Sequence, residues 1–205
     1  MNKLVVENLA KRFDSRRVFK DISFELATGE SIAITGPNGS GKSTLILCLL
    51  AQYHPNHGKV SYLYDEKKLS EIEIQQNSGL VSPYLNLYGQ LTAEENIKFF
   101  TSIRGNNITG SEINNLLKKV GLEGRGNDNV AGYSSGMNQR LKYAVALASK
   151  PKFLFLDEPT SNLDDQGKEA IASIIEEVRQ NTILIIATNE KEEYSLATNK
   201  CQLGN

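Results

Sequence analysis

The chain has 205 residues, with 24 acidic against 23 basic side chains and a formal net charge of −1. Lysine and arginine are spread along it without a basic block, which argues against a dominant nucleic-acid surface. No apolar stretch is long enough to span a bilayer, and the opening "MNKLVVENLAKRF" lacks the apolar core of a secretory leader. A soluble, cytoplasmic protein with a substantial core is expected. Cys48 lies in the apolar run "TLILCLL" and reads as a small buried hydrophobe; Cys201 suggests no disulfide framework. His54 and His57 flank a surface turn, and no His, Cys or carboxylate cluster has metal-ligand spacing. Any metal is therefore expected to arrive with a substrate.

In chain order, strands are predicted at "KLVVEN", "VFKDISFEL", "SIAIT", "KVSYLY" and "GLVS". A helix follows Gly41, carrying Leu45, Leu49 and Leu50 inward. The middle then turns helical. Thr92 with Glu95, and Thr109 with Glu112, are capping boxes that open two helices. A third, from about Gly136 to Ser149, places Leu141, Val145 and Ala148 on one face. After Pro151 the strand "KFLFLD" leads to a helix within 165–180 and a last strand in "TILIIATNEKEE". Strands, then helices, then strands describe an α/β core, 1–83 and 150–205, interrupted by a helical lobe over 84–149.

"GPNGSGKST", Gly36–Thr44, lies between a strand and a helix and satisfies the phosphate-loop pattern. Its residues Gly36, Pro37, Asn38, Gly39, Ser40, Gly41, Lys42, Ser43 and Thr44 form the candidate triphosphate cradle. Backbone N–H groups curl around the anion, and the helix N-terminus adds favourable partial charge. Lys42 is expected to reach the terminal phosphates and Ser43 to bind a magnesium ion. "FLFLDEPT" supplies the other half: Asp157 and Glu158 emerge at a buried strand's end. Asp157 is placed to hold Mg2+ and Glu158 to polarise a water towards the γ-phosphate.

Two further stretches, "YSSGMNQR" and "SNLD", bracket the acidic strand. With "GPNGSGKST" and "LDEPTSNLD" they make the whole chain resemble the ATP-binding subunits of ABC transporters. The resemblance implies a phosphate-loop NTPase core with a mostly parallel sheet, an antiparallel N-terminal β region and the inserted lobe, all in one ABC-type ATPase domain. "YSSGM", Tyr133, Ser134, Ser135, Gly136 and Met137, takes the place of the family's signature sequence, usually Leu-Ser-Gly-Gly-Gln. Ser134 and Gly136 match; Tyr133, Ser135 and Met137 depart from the commonest form. The resemblance further implies that two subunits close head to tail, each ATP lying between one copy's phosphate loop and the other's signature loop. Asp164 would help to join the sites across the interface. "KRFDSRRVF" resembles the adenine-stacking segment, with Phe13 against the purine and Val18 nearby; Phe13 as a core aromatic is the alternative.

Two positions depart from the family. Its glutamine at the core–lobe junction, which contacts magnesium and senses the membrane partner, falls at Pro83, with Gln90 in the wrong place. Tyr84, Leu85, Leu87 and Tyr88 beside it read either as a surface for that partner or as internal lobe packing. The family's Thr-His at the end of the last catalytic strand reads Thr188-Asn189 here. Asn189 is expected to act as a γ-phosphate sensor that donates an amide hydrogen but carries no proton, the alternative being a helix or turn cap. The resemblance implies an ATPase subunit, a homodimer or a heterodimer with a homologous ATPase, peripheral on the cytoplasmic face through separate permease subunits. The length leaves little room for a C-terminal regulatory domain, and the form looks closest to small exporter types, including those similar to the haem-exporter subunit of cytochrome c assembly. Two rivals remain: a soluble ABC-type protein acting on DNA or ribosomes, and a degenerate module that binds ATP with little hydrolysis.

Overall fold

A computed structural model describes residues 1–204. It opens with a long hairpin, β1 (Asn2–Phe13) and β2 (Arg16–Ala27), that pairs with β4 (His57–Tyr64) and a short β5 (Lys67–Lys68) in the antiparallel order β2-β1-β4-β5. Burial along the start of β1 alternates, with Leu4 and Val6 inward and Val5 half-buried, as a sheet with one covered face requires. Both hairpin strands outrun the predicted segments, so "KRFDSRRVF" is the hairpin tip and Phe13 ends β1.

The second sheet is wholly parallel, in the order β6-β7-β8-β3-β9. Its strands are β3 (Ser31–Thr35), β6 (Ser78–Val81), β7 (Phe153–Asp157), β8 (Ile183–Thr188) and β9 (Asn199–Gln202). The central strands β3, β7 and β8 are buried at every position, so their apolar runs show no period in the sequence. Space divides what the sequence does not. Phe153, Phe155, Ile183 and Ile185 pack with α1 (Lys42–Leu49) and the antiparallel sheet. Leu154, Leu156, Leu184 and Ile186 face the other way, against helices. On the first side Tyr62 meets Phe153 edge-on at 4.7 Å, and its hydroxyl donates to the Leu49 carbonyl at 2.7 Å. That bond satisfies a fully buried phenol.

The helical segment contains α3 (Ala93–Ser102), α4 (Gly110–Lys119) and α5 (Ser135–Ala148). Both capping boxes form: Thr92 with Glu95 and Thr109 with Glu112 exchange side-chain and backbone bonds. The apolar faces of α3 and α4, including Ile97, Ile113 and Leu117, close on Leu141 and Val145 of α5. α6 (Asp165–Arg179) covers the same side of the sheet through Ile171, Ile174 and Ile175. Elements that were not anticipated include the two-residue β5, the six-residue α2 (Glu71–Gln76), opened by a capping box at Ser70, and β9, a polar edge strand. His57, expected in a turn, opens β4.

Candidate functional site

The carboxyl ends of β3, β7 and β8 lie side by side, because Thr35 pairs with Thr188 and Asp157 with Ala187. In a parallel sheet this is where the following loops can converge on a ligand. Gly36–Gly41 leaves β3 and enters α1, whose first residue is Lys42. Two glycines are required by close approach. A Cβ on Gly36 would lie 2.5 Å from the Leu203 carbonyl oxygen, and one on Gly41 would lie 2.3 Å from Val18 Cγ1. Both residues also have positive φ, +150° and +100°. Val18 therefore packs on the phosphate loop itself.

Lys42 is 6% exposed, its ammonium donating to the carbonyls of Gly36 at 2.8 Å and Pro37 at 3.2 Å. These bonds hold the side chain back along its own loop. Asp157 is buried at the end of β7. Burial raises its carboxyl pKa, nearby Ser43 and Ser82 hydroxyls and the Lys42 ammonium oppose this, and Glu158 adds to it. Ser43, Lys42 and Asp157 thus form one neighbourhood although 115 residues separate the pair Lys42 and Asp157 in sequence. Buried Ser40 Oγ and Thr35 Oγ1 have no protein partner among the described residues. A curled glycine loop, a cation, a hydroxyl and a carboxylate at one strand end fit a nucleotide triphosphate with its magnesium ion.

Glu158 takes a left-handed backbone, φ 50°, rare for a non-glycine residue and held by its N–H donating to the Ala187 carbonyl at 2.9 Å. Its exposed side chain lines an open cavity of about 780 Å³ with Phe13, Val18, Lys42, Ser43 and Tyr84. It also lines an adjoining cavity of about 380 Å³ with Asn38, Ser161 and Asn189. Phe13 is 44% exposed, edge-on to Tyr53 at 5.8 Å, with the Lys11 ammonium 4.9 Å from its ring centre. It is not a core aromatic.

Asn189 donates from its amide to Asn38 Oδ1 of the phosphate loop at 3.2 Å. The 3-10 helix that follows, Lys191–Leu196, has Glu190 at its cap and no side-chain capping bond. Thr188, not Asn189, closes the local turn, its hydroxyl accepting from Glu190 N–H at 2.9 Å.

The signature stretch lies elsewhere. Ser134 caps α5 by accepting from Met137 N–H at 3.2 Å, and Ser134 and Ser135 are exposed. Tyr133 is buried, its hydroxyl donating to the Arg125 carbonyl at 2.8 Å, while Met137 packs on the helical core. None of Tyr133–Met137 lines the 780 Å³ cavity. Asp164 caps α6, Oδ1 accepting from Gly167 N–H at 2.8 Å. Of the stretch beside Pro83, Tyr84 and Tyr88 are exposed, Leu85 is half-buried and Leu87 packs into the helical core.

Sequence reasoning missed a set of long-range bonds around this site. Gln139 and Tyr143 of α5 both donate to the Pro159 carbonyl, at 3.1 and 3.0 Å. Glu193, 5% exposed, accepts from Thr160 N–H at 3.1 Å and from the Thr160 hydroxyl. No local motif announces such pairs.

A family model described as "ABC transporter" matches residues 19–161. Over 192 residues the chain is 34% identical to the arginine transport ATP-binding protein ArtM of Bacillus subtilis, spanning 90% of this chain and 80% of that one. It is also 34% identical to YxlF, an uncharacterized ABC transporter ATP-binding protein of the same organism, covering 91% of this chain and 62% of that protein. The fold is shared with a dimeric ATP-binding cassette solved in a post-hydrolysis state with ADP and Pi, at a TM-score of 0.84 and 24% identity, over 98% of this chain and 94% of that one. With a phosphate loop, acidic strand end and signature helix in this parallel-sheet frame, the chain belongs to the ABC transporter family, as one of its ATP-binding, ATP-hydrolysing cassettes.

Proposed function

We propose that the chain is the motor of a membrane transporter, closing head to tail with a second copy or a homologous ATPase around two ATP molecules. One observation carries this reading. The phosphate loop, Glu158 and Asn189 gather about adjoining cavities, with Asp157 buried at the strand end just before Glu158, whereas Ser134 and the N-terminus of α5 lie outside the main one. In this reading one chain holds half of each site.

In this reading the Gly36–Thr44 backbone wraps the phosphates and Lys42 turns its ammonium from its own loop carbonyls to the terminal phosphates. Phe13 and Val18 receive the adenine. Ser43 and Asp157 would hold Mg2+, which supplies charge neutralisation between the phosphates. Glu158 orients the attacking water and accepts its proton. Asn189 donates its amide to the γ-phosphate, where charge redistributes during cleavage. From the facing subunit, Ser134 and the opened end of α5 add donors and helix-dipole charge. Asp164, already committed to capping α6, stiffens the "SNLD" loop that would cross the interface.

A groove of about 340 Å³ between the two lobes supports a helical segment of a permease as the other partner. Ile72, 69% exposed, and Ile103, 62% exposed, rim it with Leu85 and Phe100. Tyr84 stands 79% exposed close by in sequence. Exposed apolar side chains around a cleft mark a protein contact. Among the described residues no helix is long and apolar enough to cross a membrane; in this reading the permease supplies the spanning segments. The proposed location is the cytoplasmic face of the membrane.

Affinity purification from native membranes tests the reading, comparing wild type with Ile72→Glu/Ile103→Glu. Wild type is expected to bring a multi-span membrane protein and Mg2+-dependent ATPase activity. The variant is expected to lose the membrane protein while retaining ATP binding. A chain that purifies without a membrane protein and hydrolyses no ATP would overturn the proposal.

A further inference from the structure

Pro83 has no side-chain oxygen to offer the magnesium site, yet the residue before it does. Ser82 follows β6 directly and is 5% exposed. Its hydroxyl lies 3.5 Å from Asp157 Oδ2 and accepts the Tyr84 N–H at 3.2 Å. With the amide satisfying one lone pair, the hydroxyl proton is free to point at the carboxylate.

The backbone of this turn is held from a third direction. Lys142 Nζ, on α5, donates to the Ser82 carbonyl at 2.9 Å and the Pro83 carbonyl at 3.3 Å. α5 is the helix that Ser134 caps. Its neighbouring side chains Gln139 and Tyr143 grip the Pro159 carbonyl, one residue beyond Glu158. One helix thus clasps both chain segments that leave β6 and β7 towards the site. Proline stiffens the clasped turn by fixing its φ.

We propose that Ser82 is a positioning residue for Asp157, and that Lys142 ties it to the signature helix, together taking over the coupling that Pro83 cannot supply. This rests on the reading of Asp157 and Ser43 as the Mg2+–ATP site. Displacement of α5 by a facing subunit pulls on two carbonyls through one ammonium, and Ser82 passes the shift to the Asp157 carboxylate. The plain alternative is a serine that merely closes a tight turn onto Tyr84 N–H and a lysine that packs its stem.

Metal affinity separates the two. Mn2+ replaces Mg2+, and free Mn2+ is followed by electron paramagnetic resonance as it is titrated into the full chain with a non-hydrolysable ATP analogue. Ser82→Ala is expected to weaken Mn2+ binding about tenfold, in the range seen when a group orienting a metal ligand is removed. Affinity for the analogue without metal, and the melting temperature, are expected to stay near wild type. Lys142→Met keeps the apolar stem and is expected to weaken Mn2+ in the same direction. The double variant is expected to bind no worse than Ser82→Ala, because both changes act through one path. Wild-type Mn2+ affinity in Ser82→Ala, an equal loss of metal-free nucleotide affinity, or strictly additive losses in the double variant would each overturn the proposal. No nucleotide-dependent Mn2+ binding by wild type would overturn the Mg2+–ATP reading along with it, and so is distinguishable.

Discussion

Replacing Asn189 by alanine, aspartate and histidine separates phosphate sensing from local structure, because the geometry sets different scales for each. Its amide makes one bond, to Asn38 Oδ1 at 3.2 Å, and both side chains are exposed. An exposed, neutral bond of that length contributes at most about 1 kcal/mol to folding. For a chain of this size that is a melting shift of about 2–4 °C or less. The same amide turned to a γ-phosphate becomes a charge-assisted donor, worth about 1.5–3 kcal/mol. If that bond strengthens in the transition state, its loss lowers turnover roughly ten- to a hundredfold. Asn189→Ala is therefore expected to retain its melting temperature within a few degrees and to lose most of its kcat. Asn189→Asp is expected to be worse, placing negative charge beside the phosphate. Asn189→His is expected to hold or raise activity, with a new pH dependence near neutrality as the imidazole titrates. Steady-state ATPase assays and melting curves on the three variants decide it. Wild-type hydrolysis by the Asp variant, with only earlier melting in the Ala variant, would refute the reasoning.

Lys42→Ala is expected to weaken ATP binding by about 2–4 kcal/mol, since the side chain is buried in the cradle and its proposed phosphate contact would be desolvated; isothermal calorimetry with a circular-dichroism check of folding measures this. Glu158→Gln is expected to bind ATP without hydrolysing it and to trap a dimer visible by light scattering, and adding Ser134→Arg is expected to disperse it by crowding the facing phosphate site. Phe153→Ala removes a fully buried ring packed against Tyr62 and is expected to cost about 3–5 kcal/mol, read as a lower denaturation midpoint at unchanged slope.

Signals confined to a few neighbouring residues were legible in the sequence. The phosphate loop is a contiguous backbone curl whose glycines and lysine must be adjacent, so its spacing announces it. The capping boxes at Thr92 and Thr109 are bonds across three residues, and both form as the sequence predicts. The acidic pair at the end of "FLFL" marks a strand end for the same local reason. Element boundaries in the helical region shift by only a residue or so, α5 running from Ser135 to Ala148.

Tertiary structure decided whatever depends on distant partners. The apolar runs of β7 and β8 have no period, and only the two layers around the sheet assign Phe155 to one core and Leu156 to the other. β9 is polar and short, and becomes a strand because β3 offers it a free edge. Asn189 read as a phosphate contact with a cap as the alternative; its amide reaches Asn38 of the phosphate loop across 151 residues, while Thr188 and not Asn189 closes the turn. Ser82 carried no motif at all, and meets Asp157 across 75 residues and Lys142 across 60. Short-range backbone geometry is written in adjacent residues, whereas a hydrogen bond between remote segments exists only after the sheet has fixed where each strand ends.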